Sequence, residues 1–252
     1  MSQGAILITG AAKRIGRQLA LDLASAGHDI VVHYNKSALE AEEVARRVRE
    51  RGRRVALVQG DLADADVAER LIALATQKIG LLTALINNAS IYEFDEVGSI
   101  DTEMWQRHLD INLRAPVLLA QAFARQLPKG SNGNVINVID GRVWKLNPRY
   151  FSYTISKSAL WTATRTLAQA LAPDIRVNAI GPGPTLPPKG ASMDEHARDE
   201  ANTLLHHGAT PADISAAVVF ILSQSAMTGQ MIALDAGQHL LWQTKDVVEM
   251  KE

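Results

Sequence analysis

No cysteine occurs among the 252 residues, which excludes a disulfide framework, a thiolate metal site, a thiol nucleophile and a thiol redox centre. The absence is consistent with a reducing compartment. Long apolar runs are missing too. The first apolar segment, Ala5-Ile6-Leu7-Ile8, is far too short for a secretion signal. No other run approaches the roughly 20 residues that a membrane-spanning helix needs. Nor is there an excess of charge. With 26 basic and 27 acidic side chains, the chain offers no field for gripping nucleic acid or an anionic membrane. Repeats, low-complexity tracts and linkers are also lacking, so a single domain over residues 1–252 is expected. What the chain does have is material for a core, since 47% of residues are hydrophobic and 21% charged. These features predict a soluble cytoplasmic protein with no nucleic-acid or membrane partner.

Short apolar runs alternate with amphipathic stretches along the whole chain. Runs at 5–9, 30–32, 55–58, 82–86, 134–139, 175–180 and 231–234 read as strands. Helical spacing occurs at 14–26 (stopped by Gly27), 38–51, 67–79, 101–127, 152–171 (ended by Pro173) and 212–222. Strands that are apolar throughout and alternate with helices predict an α/β fold. It is a doubly wound, Rossmann-type parallel sheet of about seven strands with helices on both faces. The least regular stretch, 181–208, opens Gly-Pro-Gly-Pro and carries Pro187-Pro188. It is expected to be a substrate-binding loop beyond a strand end. The charge-rich stretch 42–54 has the spacing of a solvated helix face. His206 and His207 are adjacent and cannot share a helix face as metal ligands would, so no metal site is predicted. Trp144 and Trp242 either line a pocket or simply pack.

The first strand runs into Thr9-Gly10-Ala11-Ala12-Lys13-Arg14-Ile15-Gly16, which opens a helix. Glycine lets a backbone turn tightly and approach a phosphate, while the helix N-terminus supplies free N–H groups and positive potential. This strand–turn–helix context points to a nucleotide site at Gly10, Lys13, Arg14, Ile15 and Gly16. The octet resembles the Thr-Gly-x-x-x-Gly-x-Gly turn of the short-chain dehydrogenase/reductase family. It departs at Arg14, which replaces the middle glycine and is expected to reach a diphosphate or a substrate edge. After the second strand come His33, Tyr34, Asn35, Lys36 and Ser37. A carboxylate here would bind a ribose 2′-hydroxyl, and a cation a 2′-phosphate. With Lys36 and Ser37 and no carboxylate, the expectation is NADPH, although Ser37 would equally suit the N-cap of the next helix.

Tyr153 and Lys157 stand at i and i+4 of a helix and so share a face. An ammonium beside a phenol favours phenolate, which predicts a lowered tyrosine pKa and an acid usable near neutral pH. The resemblance extends from Ala5 to about Gly237 and implies several further roles. Asp61 and Leu62 would lie near the adenine. Asn88, Ala89 and Ser90 match a cofactor contact in which Ser90 replaces glycine. Asn112 would hold a proton-relay water. Lys157 would bond the nicotinamide ribose, and Pro182, Gly183 and Thr185 would lie against the nicotinamide. The two long helices would be subunit contacts in a homotetramer.

The family's catalytic serine position is occupied here by Asp140. A hydroxyl donates to a ketone oxygen as charge develops, whereas an ionised carboxylate cannot donate and repels an oxyanion. Asp140 therefore argues for a nitrogen heterocycle, whose N–H groups donate to a carboxylate. Together with Arg14, the strand end at His33-Tyr34 and Asn88-Ala89-Ser90, it makes the chain similar to the pteridine and dihydromonapterin reductase subgroup. That similarity implies a catalytic set of Asp140, Tyr153, Lys157 and Asn112. It also implies a substrate site at Arg14, Ser90, Tyr92, Asp140 and Tyr153, with Tyr92 stacking on the pterin. A carbonyl or 3-oxoacyl-thioester reductase and a catalytically silent NADPH sensor are the competing readings.

Overall fold

The computed structural model describes residues 4–188, 190 and 192–242. Seven strands form one sheet, all pairings parallel. They are β1 (Ala5–Ile8), β2 (Asp29–Tyr34), β3 (Val55–Gln59), β4 (Leu82–Asn87), β5 (Gly133–Val138), β6 (Ile175–Pro182) and β7 (Met231–Leu234). Their order, β3-β2-β1-β4-β5-β6-β7, reverses direction between β1 and β4. In open α/β sheets the crevice beyond the strand ends at such a switch point is where ligands bind.

Among the described residues eight α-helices accompany the sheet: α1 (Arg14–Ser25), α2 (Ala38–Glu50), α3 (Val67–Ile79), α4 (Thr102–Leu109), α5 (Ala115–Gln126), α6 (Phe151–Leu171), α7 (Met193–Ala201) and α8 (Pro211–Ser223). Alternation along β1 shows why both faces must be covered. Ile6 and Ile8 pack with Leu19, Leu23, Val44, Val48, Ile214 and Val218 of α1, α2 and α8. Ala5 and Leu7 point the other way, into a core with Leu71, Ile72, Leu119 and Phe123 of α3 and α5. Phe123 is fully buried, and its truncation to alanine is expected to cost about 3–5 kcal/mol. A polar seam crosses this core: Asn87 donates to Asn137 at 2.9 Å, and Asn137 to Thr164 at 2.9 Å, tying β4, β5 and α6 together.

Two expectations need correction. The predicted helix over 101–127 is α4 and α5 joined by a π-helical turn, Asp110–Arg114, with Asn112 buried inside it. The extra residue per turn re-aims that side chain, a distortion that sequence periodicity averages over. The stretch 181–208 is not irregular throughout. Its first two residues finish β6, and it contains α7, started by a reciprocal Ser192–Glu195 capping box. The charge-rich α2 is a solvated face, with Arg46 paired to Glu43 and Glu50 and Arg47 paired to Glu43. Among the described residues no helix is long and apolar enough to cross a membrane.

Candidate active site

The turn after β1 is held from three directions. The Thr9 hydroxyl accepts from the backbone N–H groups of Asn88 (2.9 Å) and Ala89 (3.0 Å). Asn88 Nδ2 donates to the Thr9 carbonyl at 2.8 Å and the Gly10 carbonyl at 3.3 Å. His33 accepts the Gly10 N–H on Nδ1 at 3.1 Å and lies 3.1 Å from the Gly60 carbonyl through Nε2. This pairing requires the neutral Nε2–H tautomer. Burial drives the His33 pKa down to about 4, against a smaller upward pull from its Gly60 bond and from Asp61. His33 and Asn88 therefore shape the turn from behind. Thr9, which does this too, reads from sequence only as a strand end.

Backbone geometry at the turn fits a bound diphosphate. Gly10 has φ +64°, and a Cβ at Gly16 would stand 2.3 Å from the Gly10 carbonyl oxygen, so side chains are excluded where the chain doubles back. The N-cap residue Lys13 makes no side-chain capping bond to α1, which leaves first-turn N–H groups their donor capacity. Arg14 keeps the positive φ (53°) of the glycine it replaces, in a region costing about 1–2 kcal/mol. Its guanidinium donates to the carbonyls of Pro187 (2.9 Å) and Leu186 (3.2 Å), which ties the phosphate turn to the loop before α7. Lys13 pairs with Glu40 of α2 at 2.8 Å. Ile15 and Tyr34 pack on the α1–α2 core, and Leu62 is buried in the α3–α5 core.

At the second strand end, Lys36 is exposed with no carboxylate partner among the described residues, and Asn35 accepts from Gln59 through its carbonyl. Ser37 occupies the N-cap of α2, but its hydroxyl makes no capping bond, so the capping role does not hold and the hydroxyl is left for other acceptors. Asp61 accepts from the Ala63 N–H at 3.0 Å. Pro182 ends β6, Gly183 N–H donates to Leu234, and the Thr185 hydroxyl donates back to the Gly183 carbonyl.

The chemistry converges at the start of α6. The Tyr153 hydroxyl donates to Asp140 Oδ2 at 2.8 Å, and Asp140 Oδ1 accepts the Arg142 N–H at 2.8 Å. The extended backbone at Asp140 and this cap on the turn Gly141–Trp144 aim the carboxylate at the phenol. Lys157 Nζ, buried one helical turn on, donates to the Val138 carbonyl at 2.8 Å and lies 5.8 Å from the Tyr153 ring centroid. Burial lowers the Lys157 pKa to about 8, with Asp140 pulling upward. The expected lowering of the Tyr153 pKa is not found. Burial and, secondly, the facing Asp140 carboxylate raise it well above the ordinary phenol value. Spacing along a helix shows that Lys157 shares a face with Tyr153, but it cannot show that a carboxylate is closer.

Asn112 is fully engaged. Its Nδ2 donates to Ile91 O (3.0 Å) and Ser156 Oγ (3.1 Å), and its Oδ1 accepts from Ile91 N (3.0 Å) and Ser90 Oγ (3.1 Å). Asn112 and Ser90 thus pin the loop that carries Tyr92. Tyr92 itself stacks on Tyr150, with centroids 4.1 Å apart and planes at 11°, and meets Tyr153 edge-on at 4.7 Å. Tyr150 also adopts the left-handed conformation, φ 54°. Neither Tyr150 nor Arg142 was singled out from sequence. The available signals were an aromatic one turn before Tyr153 and a cation two residues after Asp140. Trp144 packs edge-on against Trp161 and His239 and remains partly exposed, while Trp242 is exposed.

The chain is similar to known proteins over most of its length. Residues 10–239 match the family model described as enoyl-(acyl carrier protein) reductase. An uncharacterized oxidoreductase of Methylorubrum extorquens is 33% identical over 241 residues, covering 92% of this chain and 96% of its own.

The chain belongs to the short-chain dehydrogenase/reductase family.

Within this oxidoreductase family, FolM alternative dihydrofolate reductase 1 from Brucella canis, complexed with NADP, is 45% identical with TM-score 0.92 and 98% coverage of both chains. The Brucella suis protein of the same name, also in complex with NADP, is 45% identical with TM-score 0.94, covering 97% of this chain and 98% of its own. The 3-oxoacyl-[acyl-carrier-protein] reductase FabG of Staphylococcus aureus is 29% identical over 241 residues, covering 93% of this chain and 97% of its own.

Proposed function

We propose that this short-chain dehydrogenase/reductase is an NADPH-dependent reductase of a C=N bond in a pterin-type ring. One observation carries the substrate class: the group 2.8 Å from the Tyr153 hydroxyl is a carboxylate, not a hydroxyl. A ring presenting N–H and amino donors satisfies Asp140, whereas a ketone oxyanion would be repelled by it. The Brucella relatives named dihydrofolate reductase support the reading.

NADPH, when bound, supplies the hydride. The turn from Gly10 through Lys13, Arg14, Ile15 and Gly16 would hold its diphosphate, and Lys36 with Ser37 its 2′-phosphate. Tyr34, Asn35, Asp61, Leu62, Ala89 and Ser90 would border the adenosine and nicotinamide halves, as would Pro182, Gly183 and Thr185. Lys157 would bond the nicotinamide ribose. The ring carbon gains the hydride and the adjacent nitrogen gains a proton, so the C=N bond becomes CH–NH. Tyr153 delivers that proton. Because its phenol is neutral and already bonded to Asp140, the pair acts as one acid, with Asp140 orienting the ring and sharing the proton. Tyr92 provides the stacking face, and Asn112, whose amide is taken up by Ile91, Ser90 and Ser156, holds its loop rather than a relay water. Exposed apolar side chains on α6, such as Ile155, suit a homotetramer, checked by light scattering.

Purified protein with NADPH and a 7,8-dihydropterin tests this reading through loss of NADPH absorbance. Turnover is expected. Turnover only with ketones or 3-oxoacyl thioesters would establish the carbonyl-reductase alternative, to which the FabG similarity lends support. NADPH binding with no turnover on any substrate would make the chain a sensor.

A further inference from the structure

The tyrosine slot beside Asp140 contains a cation that makes no ion pair among the described residues. Arg142 is partly buried in the turn Gly141–Trp144. Its Nη1 donates to the Arg149 carbonyl at 3.1 Å and reaches Asn147 Oδ1 at 3.4 Å, and its Nη2 donates to the Tyr92 hydroxyl at 3.1 Å. All three acceptors are neutral. A guanidinium carries five N–H donors. Nε–H and one Nη2–H therefore have no acceptor among the described residues. Donors of this kind are what a carboxylate engages with charge-assisted bonds.

The surroundings repeat the pattern. The Arg142 guanidinium lies 5.8 Å from the Tyr92 ring centroid and 5.3 Å from that of Tyr150. Phe94 meets Tyr150 edge-on at 5.2 Å and is 49% exposed, with Arg149 over its face at 5.4 Å. From Gly141 to Ser152 the chain carries Arg142, Lys145 and Arg149 and no acidic residue. Outward from Asp140 the site therefore offers an aromatic slab edged by guanidinium groups. A flat ring held at Asp140 and Tyr92 would send its side chain along this edge. A neutral polyol there would leave the half-buried charge unanswered, whereas a carboxylate would complete it with charge-assisted bonds.

We propose that Arg142 is a specificity-determining residue that binds a carboxylate on the side chain of the ring substrate, so that carboxylate-bearing dihydropterins are preferred over those with neutral tails. The inference rests on the pterin reading above and extends it.

Two probes separate the claims: 7,8-dihydrofolate, whose tail bears carboxylates, and 7,8-dihydrobiopterin, whose tail is neutral. Each is assayed with NADPH on the wild-type protein, Arg142→Met and Tyr92→Phe. The wild type is expected to favour dihydrofolate in kcat/KM, and added salt should shrink that preference. Arg142→Met should reduce the ratio of the two kcat/KM values by about 10-fold or more, mainly through the KM of dihydrofolate. Tyr92→Phe removes the hydroxyl that Arg142 holds but keeps the cation, and should leave the ratio within about 2-fold. An unmoved ratio in Arg142→Met overturns the proposal. So does an equal shift in Tyr92→Phe, because Arg142 would then act only by positioning Tyr92. Should Arg142→Met fail to fold, a wild-type preference insensitive to salt overturns it as well. Reduction of neither probe by the wild type removes the pterin reading itself, and the specificity claim falls with it.

Discussion

The hydroxyl of Tyr153 and the carboxylate of Asp140 meet at 2.8 Å, with the phenol as donor. Burial and this carboxylate together keep the phenol protonated, so the site presents an acid already coupled to a second acceptor. A hydroxyl in place of Asp140 would instead be a donor aimed at an oxygen. On the proposed reading, the identity of this one side chain separates reduction of a C=N bond from reduction of a ketone.

Asp140→Asn keeps the shape but cannot take up a proton. Its kcat/KM for a dihydropterin should fall roughly 10²-fold or more, the lower range for loss of a positioned acid–base group. NADPH affinity, followed by fluorescence titration, should change little, because among the described residues the carboxylate bonds Tyr153 and the Arg142 N–H. Asp140→Ser should lose pterin reduction and gain turnover of small ketones. If Asp140→Asn retained full activity, the carboxylate would have no part in the reaction.

Lys36 is exposed, with no ion-pair partner among the described residues, and the neighbouring Ser37 hydroxyl makes no capping bond. Lys36→Ala should raise the KM for NADPH about tenfold, the loss of one charge-assisted contact, while the KM for NADH stays nearly constant. Parallel steady-state measurements with the two dinucleotides check this. An equal effect on both would place the 2′-phosphate elsewhere.

Gly16→Ala would put a Cβ 2.3 Å from the Gly10 carbonyl oxygen, a backbone atom that the Thr9–Asn88–His33 frame prevents from yielding. A stability loss of about 1–3 kcal/mol is expected, together with weakened NADPH binding. Thermal unfolding and cofactor titration measure the two effects. A variant with wild-type Tm and affinity would show that the turn is looser than described.

Acid should act through His33. Its folded pKa of about 4 lies below the ordinary 6.5, so between those values the unfolded chain binds more protons than the folded one. The stabilisation is therefore complete above about pH 6.5 and is lost as pH falls toward 4, amounting to roughly 2 kcal/mol between pH 7.5 and pH 5. His28, lowered mainly by burial, adds in the same direction. Urea unfolding at the two pH values should show the loss, and His33→Gln should reduce it. An identical pH dependence in wild type and variant would mean that His33 does not stay neutral in the folded chain.

The alternation of apolar strands with amphipathic helices made the parallel sheet legible, because covering both faces of such a sheet demands that pattern. The glycine turn was legible because few residues tolerate Gly10's positive φ. The π-helical turn at Asn112 was not, since a single extra residue in one helical turn leaves the apolar period of the flanking helices nearly intact. The capping box of α7 is present in the sequence as Ser192 and Glu195, yet the prolines before it read as irregular chain.

By itself, the sequence determined the sheet, the glycine turn and the Tyr153–Lys157 pair, set by local period or by residue type at a fixed spacing, while the family resemblance marked Asp140 as standing in a serine's place. Only the tertiary structure decided which groups answer one another. His33 braces the glycine turn, Arg14 reaches the Leu186–Pro187 carbonyls, Tyr150 backs Tyr92, and the Tyr153 pKa moves up where spacing alone pointed down. Those outcomes depend on desolvation and on contacts between residues remote in the chain, and neither is encoded in the neighbourhood of any one residue.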